Sequence, residues 1–118
     1  MKKALAIDDS ATMRNLVKMA LEPEGFAVDT AENGRVALEM VKSNSYDIVI
    51  SDVNMPEMNG LEFLREFRSF NRTTPVLMLT TETEATKKEE AKKLGATGWI
   101  VKPFKPEDLA KVVKRVVR

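Results

Sequence analysis

The sequence predicts an α/β fold, a three-layer α/β/α sandwich built on a five-stranded parallel sheet with five helices. Three observations predict it. Short apolar runs of strand length alternate with stretches of helical apolar spacing along the whole chain. The third and fourth runs are continuously apolar at their centres, as in strands covered on both faces. Finally, four runs lead into polar residues: ALAI before Asp8, IVIS before Asp52, VLML before Thr80 and WIV before Lys102. The carboxyl ends of parallel strands share one edge, so side chains far apart in sequence converge there.

Each element follows in order. Strand one covers about Lys3–Ile7, and Ser10 is the N-cap of a helix whose Met13, Leu16, Val17, Ala20 and Leu21 form one apolar stripe. Pro23 and Gly25 end that helix, and strand two is Ala27–Ala31. Asn33-Gly34 opens helix two, with Ala37, Leu38 and Val41 inward. Strand three is Asp47–Ser51, with Asp52 at its end, and Asn54–Gly60 is a loop of turn formers. Helix three runs from about Leu61 to Phe70 on Leu61, Leu64 and Phe67, and strand four is Pro75–Leu79. Helix four, roughly Thr83–Leu94, offers only Ala85, Ala91 and Leu94 to a core, so it is expected to be the most easily displaced element. Gly95 stops it, and strand five is Gly98–Val101. Helix five starts at Pro106, a favoured first-turn residue, and buries Leu109, Val112, Val113, Val116 and Val117. Strict alternation implies right-handed crossovers.

Composition narrows the chemistry. A chain of 118 residues that is 43% hydrophobic is expected to form one domain over 1–118 with a real core. No apolar run approaches the ~18 residues of a membrane span, and no secretory leader is evident, so a cytoplasmic location without membrane insertion is expected. With no cysteine and no histidine, thiol chemistry, a histidine base and a phosphohistidine on this chain are excluded. Carboxylates, hydroxyls and lysines remain. The net charge of +1 is unevenly spread: residues 1–82 carry −4 and residues 83–118 carry +5. Lys87, Lys88, Lys92, Lys93, Lys111, Lys114, Arg115 and Arg118 read either as solvated helix faces or as a basic surface for an acidic protein partner. Nucleic acid fits poorly, since no aromatics are interleaved with the basic residues.

The edge residues suggest one site. Asp8-Asp9 alone reads equally as a helix-capping pair or as part of a metal site, since adjacent ionised carboxylates call for a cation. Asp52 before a Pro/Gly loop is either a turn initiator or a carboxylate nucleophile forming an acyl phosphate. Two anions can approach only when screened, which joins the Asp8-Asp9 pair and Asp52 into one hypothesis. Thr80 alone carries little information, whereas Lys102 can either pair with an aspartate or bring positive charge to a phosphoryl oxygen. Pro103 holds Lys102 out of the helical region and allows a cis bond.

Taken together, Ile7–Ser10 (IDDS), Asp52 with Met55-Pro56 and Gly60, Leu79–Glu82 (LTTE) and Gly98–Phe104 (GWIVKPF) resemble the receiver domains of two-component response regulators, most of all the single-domain chemotaxis members. The resemblance spans essentially the whole chain. It implies a flavodoxin-like strand order of 2-1-3-4-5 and a signalling protein rather than an enzyme. It also implies that Asp52 accepts a phosphoryl group from a histidine kinase or phosphotransfer protein. Mg2+ (or Mn2+) would be held by Asp9, Asp52 and the Asn54 backbone carbonyl, with Asp8 acting through water. Lys102 and Thr80 would contact phosphoryl oxygens, and Asn54 and Glu82 would tune dephosphorylation. Thr80 and Trp99 would switch a protein-binding face made of helix four, strand five and helix five, in a molecule expected to be monomeric. Trp99 departs from the usual Tyr or Phe, and its indole N–H wants a partner when buried.

Other readings fit less well. A flavodoxin-like redox module would need a Ser/Thr/Gly-rich phosphate loop where Asp8-Asp9 stands. A haloacid-dehalogenase-type phosphatase would need an Asp where Asn54 stands. A phosphorelay intermediate, a receiver cut from a larger regulator and a docking module that is never phosphorylated remain as alternatives.

Overall fold

The computed structural model describes residues 1–81 and 85–117. Five parallel strands form one sheet: β1 (Lys2–Ile7), β2 (Phe26–Ala31), β3 (Ile48–Asp52), β4 (Val76–Thr80) and β5 (Gly98–Val101). Their order is β2-β1-β3-β4-β5, as the resemblance implied. Between them run α1 (Ala11–Leu21), α2 (Gly34–Ser43), α3 (Gly60–Arg68), α4 (Ala85–Leu94) and, after β5, α5 (Pro106–Val116). A single 3-10 turn at Glu22–Glu24, with Gly25 at φ +93°, ends the first helix where Pro23 and Gly25 indicated.

Alternation along the strands divides the core into two layers. Leu5, Ile7, Val49, Val76 and Met78 face α2, α3 and α4, packing with Ala37, Leu64, Phe67 and Ala91. Ala4, Ala6, Ile48, Ile50, Leu77 and Leu79 face α1 and α5, packing with Val17, Leu21, Leu109 and Val113. Both β3 and β4 are fully buried, which is why their runs lack polar alternation. Each Val, Ile, Leu or Met side chain that these strands remove from water contributes ~1.5–3 kcal/mol.

Boundaries differ from expectation for local reasons. β3 is shifted one residue toward Asp52, because Asp47 folds back on β1: the Lys3 N–H donates to its carboxylate at 2.8 Å, and its own N–H donates to the Lys3 carbonyl at 2.8 Å. Helix α3 starts a residue early, at Gly60, because Asn59 caps it. Asn59 Oδ1 accepts from the Glu62 N–H while Glu62 Oε1 accepts from the Asn59 N–H, a reciprocal capping box. The helix also ends early, at Arg68. For α4, the expected first residues 83 and 84 lie outside the described residues. Val117, expected in α5, is its C-cap.

Candidate functional site

The register brings the polar strand ends together. Ile7 lies opposite Ser51, so Asp8 leaves β1 beside Asp52 at the end of β3; Asp52 lies opposite Leu79, and Thr80 opposite Val101. One carboxylate oxygen from each of Asp8, Asp9 and Asp52 lies within 4.8 Å of the others. Asp8 and Asp52 are buried, whereas Asp9 is exposed. The Lys102 ammonium completes the group, 3.0 Å from Asp52 Oδ1 and 3.5 Å from Asp8 Oδ2. Its backbone N–H donates to the Thr80 carbonyl at 2.6 Å, and the Lys102–Pro103 peptide is cis.

Local structure fixes each side chain. The Asp8 N–H donates to the Ala31 carbonyl, and Asp8 Oδ1 accepts from the Ser10 N–H at 2.9 Å, just before the helix that Ser10 caps. The Arg14 guanidinium donates to the Asp8 carbonyl at 2.7 Å, a brace that no sequence motif announces. Asp52 Oδ1 also accepts from the Val53 N–H, while the Gly60 N–H donates to the Val53 carbonyl at 2.8 Å. A Cβ at Gly60 would stand 2.1 Å from the Asp52 carbonyl oxygen, so the loop after Asp52 closes only over glycine. The loop is braced from α2: the Gly34 N–H donates to the Met58 carbonyl and Asn33 Nδ2 to Glu57.

Two orphaned atoms mark where the pocket has unmet capacity. Among the described residues, buried Asp8 Oδ2 and Thr80 Oγ1 have no hydrogen-bond partner. Burial raises the Asp8 pKa, the Ser10 N–H lowers it, and Asp52 raises it again; the net direction is up. Burial lowers the Lys102 pKa, but the hydrogen bond and charge of Asp52, then the charge of Asp8, outweigh it and the net shift is upward. A hard divalent cation fits this donor set: three carboxylate oxygens close together, one lacking a hydrogen-bond partner, in a site whose charges sum to −2 with Lys102 counted.

The remaining predicted residues fall outside the acidic cluster. Asn54 Oδ1 accepts from Lys87 Nζ of α4 at 2.8 Å, a contact across 33 positions that the sequence did not signal. Trp99 lies opposite Met78, 38% exposed, with Lys88 Nζ 5.9 Å from its ring centroid. Its environment is therefore the outer surface rather than the core. Glu82 lies outside the described residues.

Comparison with known proteins finds relatives along nearly the whole chain. A family model described as "Response regulator receiver domain" matches residues 4–114. The chain is 37% identical over 116 residues to the transcriptional regulatory protein ResD of Bacillus subtilis, covering 98% of this chain and 48% of that protein. It is 38% identical to SrrA of Staphylococcus aureus, covering 97% and 47%. The chain thus spans about half the length of these curated relatives. Among solved structures, Vibrio cholerae chemotaxis protein CheY4 is 51% identical, with a TM-score of 0.91 and 98% of each chain covered. A receiver domain protein from Clostridium thermocellum is 31% identical, with a TM-score of 0.92 and coverage of 99% and 94%.

Proposed function

The chain belongs to the response regulator receiver family, and from that membership we propose that Asp52 is the phosphoacceptor of a two-component signalling protein. The observation that carries this reading is the Lys102 ammonium held between Asp52 and Asp8 at the sheet edge. An Asp52 carboxylate oxygen attacks the phosphorus of a partner's phosphohistidine; the new O–P bond forms as the P–N bond breaks, and the imidazole leaves with the electron pair. Lys102 stays protonated and neutralises charge on the phosphoryl oxygens, and the unpartnered Thr80 hydroxyl donates to one of them. Asp9, Asp52 and the Asn54 carbonyl would hold Mg2+ or Mn2+, with Asp8 acting through water, and the ion would supply screening between nucleophile and phosphoryl oxygens. Asn54 and Glu82 would set the rate of phosphoryl loss.

Output passes to a protein partner through the face of α4, β5 and α5, with Thr80 and Trp99 reporting the state of Asp52. The 51% identity to CheY4 over nearly all of both chains favours a chemotaxis role. The half-length coverage of ResD and SrrA favours a second reading, a receiver serving a longer regulator or relay. Intact mass after incubation with Mg2+ and a small phosphodonor tests the acceptor. One added phosphoryl group in wild type and none in Asp52→Asn is expected; undiminished addition in the variant places the acceptor elsewhere, and no addition in wild type leaves a docking module.

A further inference from the structure

We propose that Lys87 is the second cation of the acceptor site, positioned by Asn54 to attract the incoming phosphoryl group. The inference rests on Asp52 being the phosphoacceptor. Lys87 Nζ is hydrogen-bonded to Asn54 Oδ1, two residues past Asp52. Asn54 is neutral, so this bond fixes the ammonium without cancelling its charge. Lys87 also borders a groove between α3 and α4 that contains Glu62, Arg65 and Glu90. Yet among the described residues its hydrogen bond is to the acceptor loop, and it forms no ion pair with those carboxylates.

The electrostatic need is plain. Asp8, Asp9, Asp52 and Lys102 sum to −2, so a divalent ion brings the cluster only to neutrality, and a further cation at its edge adds the attraction for an anionic phosphodonor that the cluster itself lacks. A unit charge held on the loop next to Asp52 changes the approach of an anion by roughly three- to tenfold at low salt. The same charge opposes a metal cation at the acidic cluster. Lys87 therefore has opposite effects on the two ligands of one site, a signature that loss of structure does not reproduce.

The test compares wild type, Lys87→Met and Lys87→Arg in low salt, with phosphorylation read at saturating Mg2+ so that the two effects are separated. Two quantities are read: the rate of phosphorylation by acetyl phosphate, followed by intact mass, and the affinity for Mg2+ alone, followed by Trp99 fluorescence or calorimetry. The expectation for Lys87→Met is about three- to tenfold slower phosphorylation together with about two- to threefold tighter Mg2+ binding. Both effects should shrink in salt as screening sets in, and Lys87→Arg should restore wild-type values. Unchanged rate and affinity, or weaker Mg2+ binding in Lys87→Met, overturns the role of Lys87. A wild type that binds Mg2+ but takes no phosphate overturns the acceptor reading instead, and the Mg2+ arm still decides whether Lys87 acts on the site's charge.

Discussion

Helices α3 and α4 cover the same face of the sheet but are held in different ways. Helix α3 buries Leu61, Phe63, Leu64 and Phe67, stacks Phe63 on Phe67 at 5.5 Å, and is locked at its start by the Asn59–Glu62 capping box. Helix α4 buries only Ala91 among its described side chains, with Leu94 partly covered. Among its described side chains the other ties are polar or cation–π contacts, Lys87 to Asn54 and Lys88 over Trp99. A helix fixed by apolar area stays put when a charge changes nearby; one held by a few charged contacts responds. The first follows the loop that shapes Asp52, and the second forms part of the proposed output face. A rigid loop at the proposed acceptor beside a loosely docked helix is what a charge-driven switch requires.

Substitutions should expose the asymmetry. Phe63→Ala removes a fully buried aromatic ring and should cost ~3–5 kcal/mol in denaturant unfolding. Next comes Gly60→Ala: the new Cβ clashes with the Asp52 carbonyl, so a loss of ~2–3 kcal/mol is expected, with Mg2+ binding weakened in the population that still folds. In α4, Ala91→Gly should cost only ~1 kcal/mol globally, while hydrogen exchange accelerates within α4 more than in α3. Equal acceleration in both helices would erase the proposed difference.

The smallest expected effect is a gain. Because the folded-state pKa of Asp8 is raised, its contribution to stability is present below the unfolded value of 3.8 and is lost as pH rises through the folded one. Without a divalent ion, Asp8→Asn should therefore be more stable than wild type near pH 7, by ~1 kcal/mol, with the advantage shrinking toward pH 4. Lys102 works the other way: its raised pKa keeps its contribution complete at neutral pH and loses it only in strong alkali. Paired urea titrations at pH 4 and 7 check the sign. Saturating Mg2+ should remove the advantage, since an ion at tenfold its Kd adds ~1.4 kcal/mol to wild type.

Much of this was legible in sequence because strand ends are marked by chemistry. Asp8, Asp52, Thr80 and Lys102 each interrupt an apolar run, and parallel register does the rest. The thin docking of α4 was also readable, since a helix with few apolar residues buries little. Two misses share one cause, contacts that no local pattern encodes. Arg14 reaches the Asp8 carbonyl and Lys87 reaches Asn54 only once the fold has formed. The buried arc of α3 is wider than the stripe of Leu61, Leu64 and Phe67 and also includes Phe63. The one-residue shift of β3 arose from Asp47 hydrogen-bonding back to Lys3, a pairing between strands rather than within one.

The central claim is that charge at the rigid acceptor moves the loosely held neighbour. Trp99, the chain's one tryptophan, sits half-exposed on β5 against Lys88 and reports on that neighbour. Its fluorescence should change on Mg2+ titration and change again on adding a small phosphodonor, with the second change absent in Asp52→Asn. An identical phosphodonor response in Asp52→Asn, or none in a wild type whose intact mass shows full phosphorylation, would contradict it.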